Sequence, residues 1–428
     1  MSSKGKSSTT RASSSALGPM LRFPEFREAT GWRVTKLNSL LFEAKHRNRS
    51  LELGPEDVLS VSGEHGCVNQ IEFMGRSYAG ASVKDYHVVE HGDIVYTKSP
   101  LKKNPFGIIK ENKGKRGIVS TLYAVYRPFP ECSPTYLDHF FSVDYHLNAY
   151  LQPIVRKGAK NDMKVNNADV LTGDICVPGL LEQQKIADCL DSADALIAAQ
   201  GRKVEALKAH KKGLMQQLFP QEGETQPRLR FPEFHSMEEW AERPLRAVAT
   251  VNPPNGGIPE SFVYIDLGSV VEGRLTVKTK LARDDAPSRA QRLLSDGDII
   301  FQVVRPYQKN NLFFDFGDHQ AYVASTGYAQ IRARVSSRFL YQSVHTDTFV
   351  SRVVAKCTGS GYPAINASDL AEIGVSLPPT LAEQQRIADC LTSLDDLIAA
   401  ESRKLDTLKT HKKGLMQQLF PMFDGADS

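Results

Sequence analysis

Tryptophan and cysteine are scarce in this chain, at two and six of 428 residues. Cys67, Cys132, Cys176, Cys189, Cys357 and Cys390 form no CxxC pair, and no histidine stands at zinc-finger spacing. That excludes the common zinc motifs and leaves reduced thiols in a cytosolic protein as the plain reading. No apolar run approaches the ~18–20 residues of a membrane span. The Ser-rich segment Met1–Pro19 lacks the apolar stretch of a signal peptide and is expected to be a disordered tail (1–19); a transit peptide is the alternative. Catalytic motifs are also missing. Gly107 and Gly114-Lys115 lack P-loop spacing. No closely spaced carboxylates followed by a lysine form a nuclease centre, and His65-Gly66-Cys67 has no partner cluster. Asn252-Pro253-Pro254-Asn255 resembles the NPP(Y/F) motif of amino-methyltransferases, but an Asn replaces the stacking aromatic and no strand–Gly-x-Gly turn precedes it. A Pro-Pro turn is the expected role. No catalytic residue, metal or cofactor is therefore expected in the chain.

What is present is ordinary globular material, 41% hydrophobic and 24% charged, with a net charge of only +4. The length allows two or three domains. Its main feature is a repeat. Glu182–Pro220 and Glu383–Pro421 match at 29 of 39 positions without a gap, at an offset of 201. LRFPEF occurs at Leu21–Phe26 and again at Leu229–Phe234, each time followed by a tryptophan (Trp32, Trp240). Between these echoes lie two bodies of differing sequence. The expected division is tail, body 20–178, helix 179–220, linker 221–227, body 228–378, helix 379–421 and tail 422–428.

Both repeats have the signals of a long helix. Thr380 and Glu383 make a capping box, Gly179 and Glu182 stand at the matching places, and Pro220 and Pro421 end the pattern. The apolar period is seven. One row runs Ile186, Leu190, Ile197, Val204, Leu207, Leu214, Leu218, and the other Ile387, Leu391, Ile398, Leu405, Leu408, Leu415, Leu419. Such a period predicts a coiled-coil seam; two helices packed separately on their own bodies are the alternative. Connectivity makes the pair antiparallel. Gly213 and Gly414 mark either close backbone approach or mere tolerance near a helix end. Identities off the seam include His210, Lys212, Gln216 and their copies His411, Lys413, Gln417. An exposed face kept in duplicate predicts a partner that comes in two copies.

The bodies share weak echoes. Gly92-Asp93-Ile94 matches Gly297-Asp298-Ile299, and each turn leads into an apolar strand. Mixed α/β domains are expected, an α+β fold class with a pseudo-two-fold internal repeat. Basic residues cluster after the first GDI strand: Lys98, Lys102, Lys103, Lys110, Lys113, Lys115 and Arg116. Body two has Arg274, Lys278 and Lys280 before its GDI strand and Arg305 and Lys309 after it. Basic loops with glycines suit phosphate contacts, with Arg or Asn/Gln at their tips suited to bases.

The order body, EQQ-type helix, body, EQQ-type helix, with the LRFPEF–Trp openings, resembles the specificity subunits of type I restriction–modification enzymes over residues 20–421. The resemblance implies two target recognition domains, each reading half of a split, asymmetric DNA site, with the helices as antiparallel spacer. It implies a non-catalytic, cytoplasmic subunit that docks two methyltransferase subunits and, through the complex, restriction subunits. S-adenosylmethionine and ATP would then belong to those partners. The competing readings are a coiled-coil scaffold without DNA function and a self-contained DNA methyltransferase built on Asn252–Asn255.

Overall fold

A computed structural model describes residues 18–99, 101, 103–157 and 163–421. Residues 1–17 of the expected tail 1–19, the expected tail 422–428 and Lys102 lie outside the described residues. Two compact units are formed. Unit 1 comprises the residues to Ala199 together with those from Leu405, and unit 2 is Gln200–Lys404.

In unit 1 the strand Arg33–Lys36 pairs antiparallel with Asp174–Val177, closing the body beside the start of the first long helix. The central antiparallel sheet has the order Leu41–Glu43, Tyr123–Pro128, Ile94–Thr97, Ile108–Glu111. Two helices, Pro134–Phe141 and Asp144–Leu151, cover it. Their aromatic faces join Tyr96 and Tyr126 in a core completed by Ile186 and Leu190 of one long helix and Leu419 of the other.

Unit 2 repeats this plan. Ala241–Pro244 pairs with Gly374–Leu377, and the sheet runs Ala249–Val251, Tyr328–Ala333, Ile299–Gln302, Leu312–Phe313. Helices Ser337–Ser343 and Asp347–Ala355 cover it. The units part company beyond this sheet. Unit 1 has the strand pairs Leu59–Ser62 with Gly66–Asn69 and His87–Val89 with Gly117–Val119, whereas unit 2 has a second four-stranded sheet ordered Thr279–Ala282, Ser261–Ile265, Tyr322–Ser325, Ala290–Leu293.

The GDI echo has a physical cause. Gly92 and Gly297 take φ of +81° and +85°, a left-handed turn that favours glycine. The following Asp93 and Asp298 are buried. Each accepts a backbone N–H of its turn, from Glu90 (2.9 Å) and Ser295 (2.8 Å), and each receives a two-pronged arginine, Arg127 or Arg332. The aspartate therefore locks the turn to the neighbouring strand.

The long helices are Leu180–Leu218 and Leu381–Leu419, 39 residues each, or about 58 Å at 1.5 Å per residue. Every seam position named above is buried or half-buried, whereas His210, Lys212, Gln216, His411, Lys413 and Gln417 are exposed. Within unit 2 the two helix segments run antiparallel. Lys211 Nζ sits 2.6 Å from Asp395, and Gln200 and Lys203 both reach Glu401. Within unit 1 the equivalent pair is Lys412 to Asp194, at 2.5 Å. The polar residues that interrupt the heptads are thus paired between the two helix segments of each unit. Gly213 and Gly414 do not mark close approach: a Cβ at either would meet nothing within 4 Å. Tolerance is the reading that survives.

The capping box is corrected. Glu383 N–H donates to Thr380 Oγ1 (3.3 Å), but its carboxylate does not turn back to the cap. It holds Arg230 at 2.7 and 2.8 Å and accepts from Trp240 Nε1 at 3.2 Å. Glu182 does the same with Arg22 (2.8 and 2.7 Å) and Trp32 (3.2 Å). The LRFPEF–Trp opening and the EQQ motif are therefore two halves of one clamp. Next in the motif, Gln183 and Gln384 accept the N–H of Ser133 and Ser336, the N-caps of the first covering helix in each unit. Leu21 N–H caps Gln418 O and Leu229 N–H caps Gln217 O, both at 2.9 Å. Each opening segment thus also seals the end of the other long helix. Among the described residues no helix is long and apolar enough to cross a membrane.

Candidate nucleic-acid interface

The basic residues of body one fall into two loops on one hairpin. The strands Ile94–Thr97 and Ile108–Glu111 pair from Ile94↔Glu111 to Thr97↔Ile108. At its tip Gly107 has φ +98°, and a Cβ there would lie 2.1 Å from Thr97 O, so only glycine fits. Lys98 is half-buried and Lys103 exposed on this tip, and neither side chain has a protein partner among the described residues. The second loop is folded around buried Asn112, whose Nδ2 donates to Glu90 O and Lys115 O. That leaves the Lys115 side chain exposed and unpaired among the described residues.

The structure removes Lys110 from the group. It lies within the strand, buried, with Nζ 2.5 Å from Ser142 Oγ and 3.7 Å from Asp138. Lys113 is also committed. Its Nζ is 2.8 Å from Asp191 of the first long helix, with Asp138 and Glu111 at 3.7 and 3.8 Å. Partial burial works against its charge, but the three carboxylates outweigh it and raise its pKa. Arg116 pairs with Glu90 and Glu52 at 3.0 and 3.3 Å on the surface.

In body two Arg274 sits on a two-residue strand beside Gly273, and Lys280 is exposed on Thr279–Ala282; neither has a partner among the described residues. Lys278 lies over Phe316 and Tyr322, at 5.3 and 5.6 Å, with Asp318 at 3.4 Å. Lys309 is tied to Asp347 (2.8 Å) and His345 O (2.9 Å), and that lysine lowers the Asp347 pKa. Arg305 makes no ion pair or hydrogen bond through its guanidinium among the described residues, and instead lies over the Tyr362 ring at 4.3 Å. Sequence reading passed over Tyr307 and Tyr362, both exposed; the available signal was an aromatic in the Gly-rich run Gly359–Pro363.

Each unit also has a cavity where its body meets the long helices. In unit 1 it is about 370 Å³, walled by Lys110, Glu111, Asp138, His139, Asp194, Lys412 and Met416 among others. His139, Asp191 and Asp194 bring ligand atoms within 4.8 Å of one another there. Their charge is already balanced by Lys113 and Lys412, so the cluster acts as a latch between body and helix. Burial lowers the His139 pKa against the opposing bond to Asp191, so the ring is neutral near pH 7. In unit 2 the cavity is about 560 Å³, with Phe313, Tyr341, Gln342 and His345 facing Asp395, Lys211 and Met215.

Asn252-Pro253-Pro254-Asn255 is irregular chain with a bend at Asn252, not the expected Pro-Pro turn. Asn252, at φ +50°, exchanges hydrogen bonds with the Gln330 backbone, and Asn255 Nδ2 donates to Gln291 O. Both amides are thereby used in holding strands together.

Residues 290–410 match the Type I restriction modification DNA specificity domain. The chain is 24% identical over 286 residues to a putative type I restriction enzyme MjaX specificity subunit of Methanocaldococcus jannaschii, covering 62% of each chain. It is likewise 24% identical over 258 residues to the MjaVIII specificity subunit of the same organism, 57% of this chain and 60% of that one. The matches thus span about three fifths of these relatives' lengths. The fold is similar to the crystal structure of a type I restriction-modification S subunit from M. genitalium, with TM-score 0.59, 12% identity, and coverage of 95% of this chain and 100% of that one. The chain is thus a relative of the specificity subunits of type I restriction enzymes.

Proposed function

We propose that this relative of the type I specificity subunits is itself the DNA-reading, non-catalytic subunit of a type I restriction–modification complex. Body 20–178 reads one half of a split double-stranded site and body 228–378 the other. The long helices form an antiparallel coiled-coil spacer that sets the gap between half-sites. The exposed duplicated residues His210, Lys212, Gln216, His411, Lys413 and Gln417 dock two methyltransferase subunits, through which restriction subunits join. Those partners hold S-adenosylmethionine and ATP, and the complex works in the cytoplasm.

One observation carries this reading: the same clamp, Arg–Trp on Glu and Gln on an N-cap serine, seats two bodies of differing sequence on equivalent helix starts. A fixed frame with exchangeable heads suits a reader of two unrelated half-sites. The free cations Lys98, Lys103, Lys115, Arg274 and Lys280 are the phosphate contacts; Lys113 is a docking residue. Lys115→Ala should weaken binding to all sequences and shallow the salt dependence by about one unit.

The test is to replace residues 20–178 with another body of this type and sequence the methylated sites of a host carrying the chain and its methyltransferase. One half of the motif should change and the other persist. A change in both halves, or none, defeats the proposal.

A further inference from the structure

Body two carries one arginine whose setting differs from the rest. Arg305 follows the strand Ile299–Gln302 and has φ +55° and ψ +54°, left-handed backbone that an L-residue enters only at a steric cost. Four residues on, Lys309 is left-handed as well, at φ +54°. Between them Pro306–Gln308 makes one tight turn, with Tyr307 52% exposed at its crest. Two such residues bracketing a surface turn persist only where the surroundings over-determine them, and strain of this kind concentrates at functional sites.

The surroundings do over-determine them. Arg305 N–H donates to Pro363 O at 2.7 Å, Ile365 N–H donates to Val303 O at 3.1 Å, and Val304 bridges Ala364. Lys309 Nζ is fixed on His345 O and Asp347. The second loop is closed on itself by the reciprocal Thr358–Ala364 bonds, both 2.9 Å, and turned by Gly359 at φ +93°. This places Tyr362, 70% exposed, under the Arg305 guanidinium at 4.3 Å.

The arrangement leaves a guanidinium with a fixed plane and no acceptor. Arg332, Arg338 and Arg352 of the same body each have a carboxylate. Arg305, like Arg274, has none among the described residues, but Arg305 lies over a ring with its Nε buried, so its two terminal nitrogens are the edge left to act. A planar fork held against an aromatic ring loses little freedom when it binds. The acceptor pair that matches such a fork on double-stranded DNA is O6 and N7 of guanine in the major groove.

Resting on the specificity-subunit reading, we propose that Arg305 reads a guanine in the half-site addressed by body two, with Tyr362 as the positioning residue that sets its plane. The test uses the full chain co-expressed with its methyltransferase partner, reading the methylated motif by sequencing and the discrimination at each position by binding to single-base variants. Arg305→Ala should relax one G·C position of one half-site, losing roughly 10–100-fold discrimination there, with the other half unchanged. Tyr362→Ala should relax the same position less. Tyr362→Phe keeps the ring and should restore reading, whereas Arg305→Lys, lacking the fork, should not. Unchanged discrimination in both alanine variants overturns the proposal, as does weakening that is uniform over all sequences, which marks a phosphate contact. If an alanine variant does not fold, Arg305→Lys and Tyr362→Phe decide. If the unaltered chain supports methylation of no split motif, the functional reading fails, a result distinct from an unaltered motif in the variants.

Discussion

The cavities of the two units share three residues of their helix walls and differ in their body walls. Asp194, Lys412 and Met416 in unit 1 are the repeat equivalents of Asp395, Lys211 and Met215 in unit 2. Counting from the N-cap serines, Ser133 and Ser336, Asp138 and His139 correspond to Tyr341 and Gln342. His139 Nε2 donates to Asp191 at 2.9 Å, and Gln342 Nε2 donates to Asp395 at 2.8 Å. Two different side chains thus do the same job, tying a covering helix to a long one. Unit 1 achieves it with charge, gathering Lys110, Lys113 and Lys412 among Glu111, Asp138, Asp191 and Asp194. Unit 2 achieves it with aromatic surface and a neutral amide. The lesson is that the junction keeps a shared core of helix residues while its body side, and the helix position each body reaches, can change, which is what interchangeable heads need.

The largest effect is expected at the clamps. Removing one member of a buried ion pair leaves the other uncompensated, at about 3–5 kcal/mol. Glu383 and Arg230 are 1% and 8% exposed, against 3% and 17% for Glu182 and Arg22. Chemical denaturation of Glu383→Ala should show the larger loss and Glu182→Ala the smaller; the reverse order would break the correspondence drawn between burial and cost.

Acid should separate the units next. Burial, aided by Arg47, lowers the His87 pKa to about 4, and burial also lowers those of His139 and His146, all in unit 1. Unit 2 has only His345 so affected among the described residues, also at about 4. Below pH 6.5 the unfolded chain binds protons that these folded rings refuse, so stability falls as pH drops from 6.5 toward 4. His87 alone contributes about 2 kcal/mol of loss at pH 5. Hydrogen exchange at pH 5 and pH 7 should show peptides of unit 1 losing more protection than those of unit 2.

Where the wall is shared the effects should be equal. Lys211→Met and Lys412→Met each remove a lysine from a partly exposed aspartate, at about 1 kcal/mol. Melting temperatures of the two variants should agree closely, and a large difference would show that the helix wall is not equivalent after all. The smallest effect is expected from circular permutation. Leu21 N–H seals the second long helix as Leu229 N–H seals the first. Joining the tails and opening the chain at Gly223 should therefore leave melting temperature and methylated motif nearly unchanged.

The sequence by itself determined the two long helices, the GDI turns and the presence of two related bodies. Those features rest on local rules: heptad spacing, glycine at a left-handed turn, proline at a helix end. It also marked Glu182, Glu383, Trp32 and Trp240 as repeated residues, but it assigned Glu383 to a cap. Only tertiary structure showed that the carboxylate turns away to meet an arginine 153 positions earlier. The same limit governed the basic loops. Lys113 and Lys115 are indistinguishable in sequence, yet one is neutralised by Asp191, 78 residues away, and the other faces solvent. Arg305 and Tyr362 meet because two loops bridge at Val304 and Ala364. Whether a charge is free depends on which distant carboxylate the fold brings to it, and no local pattern encodes that distance.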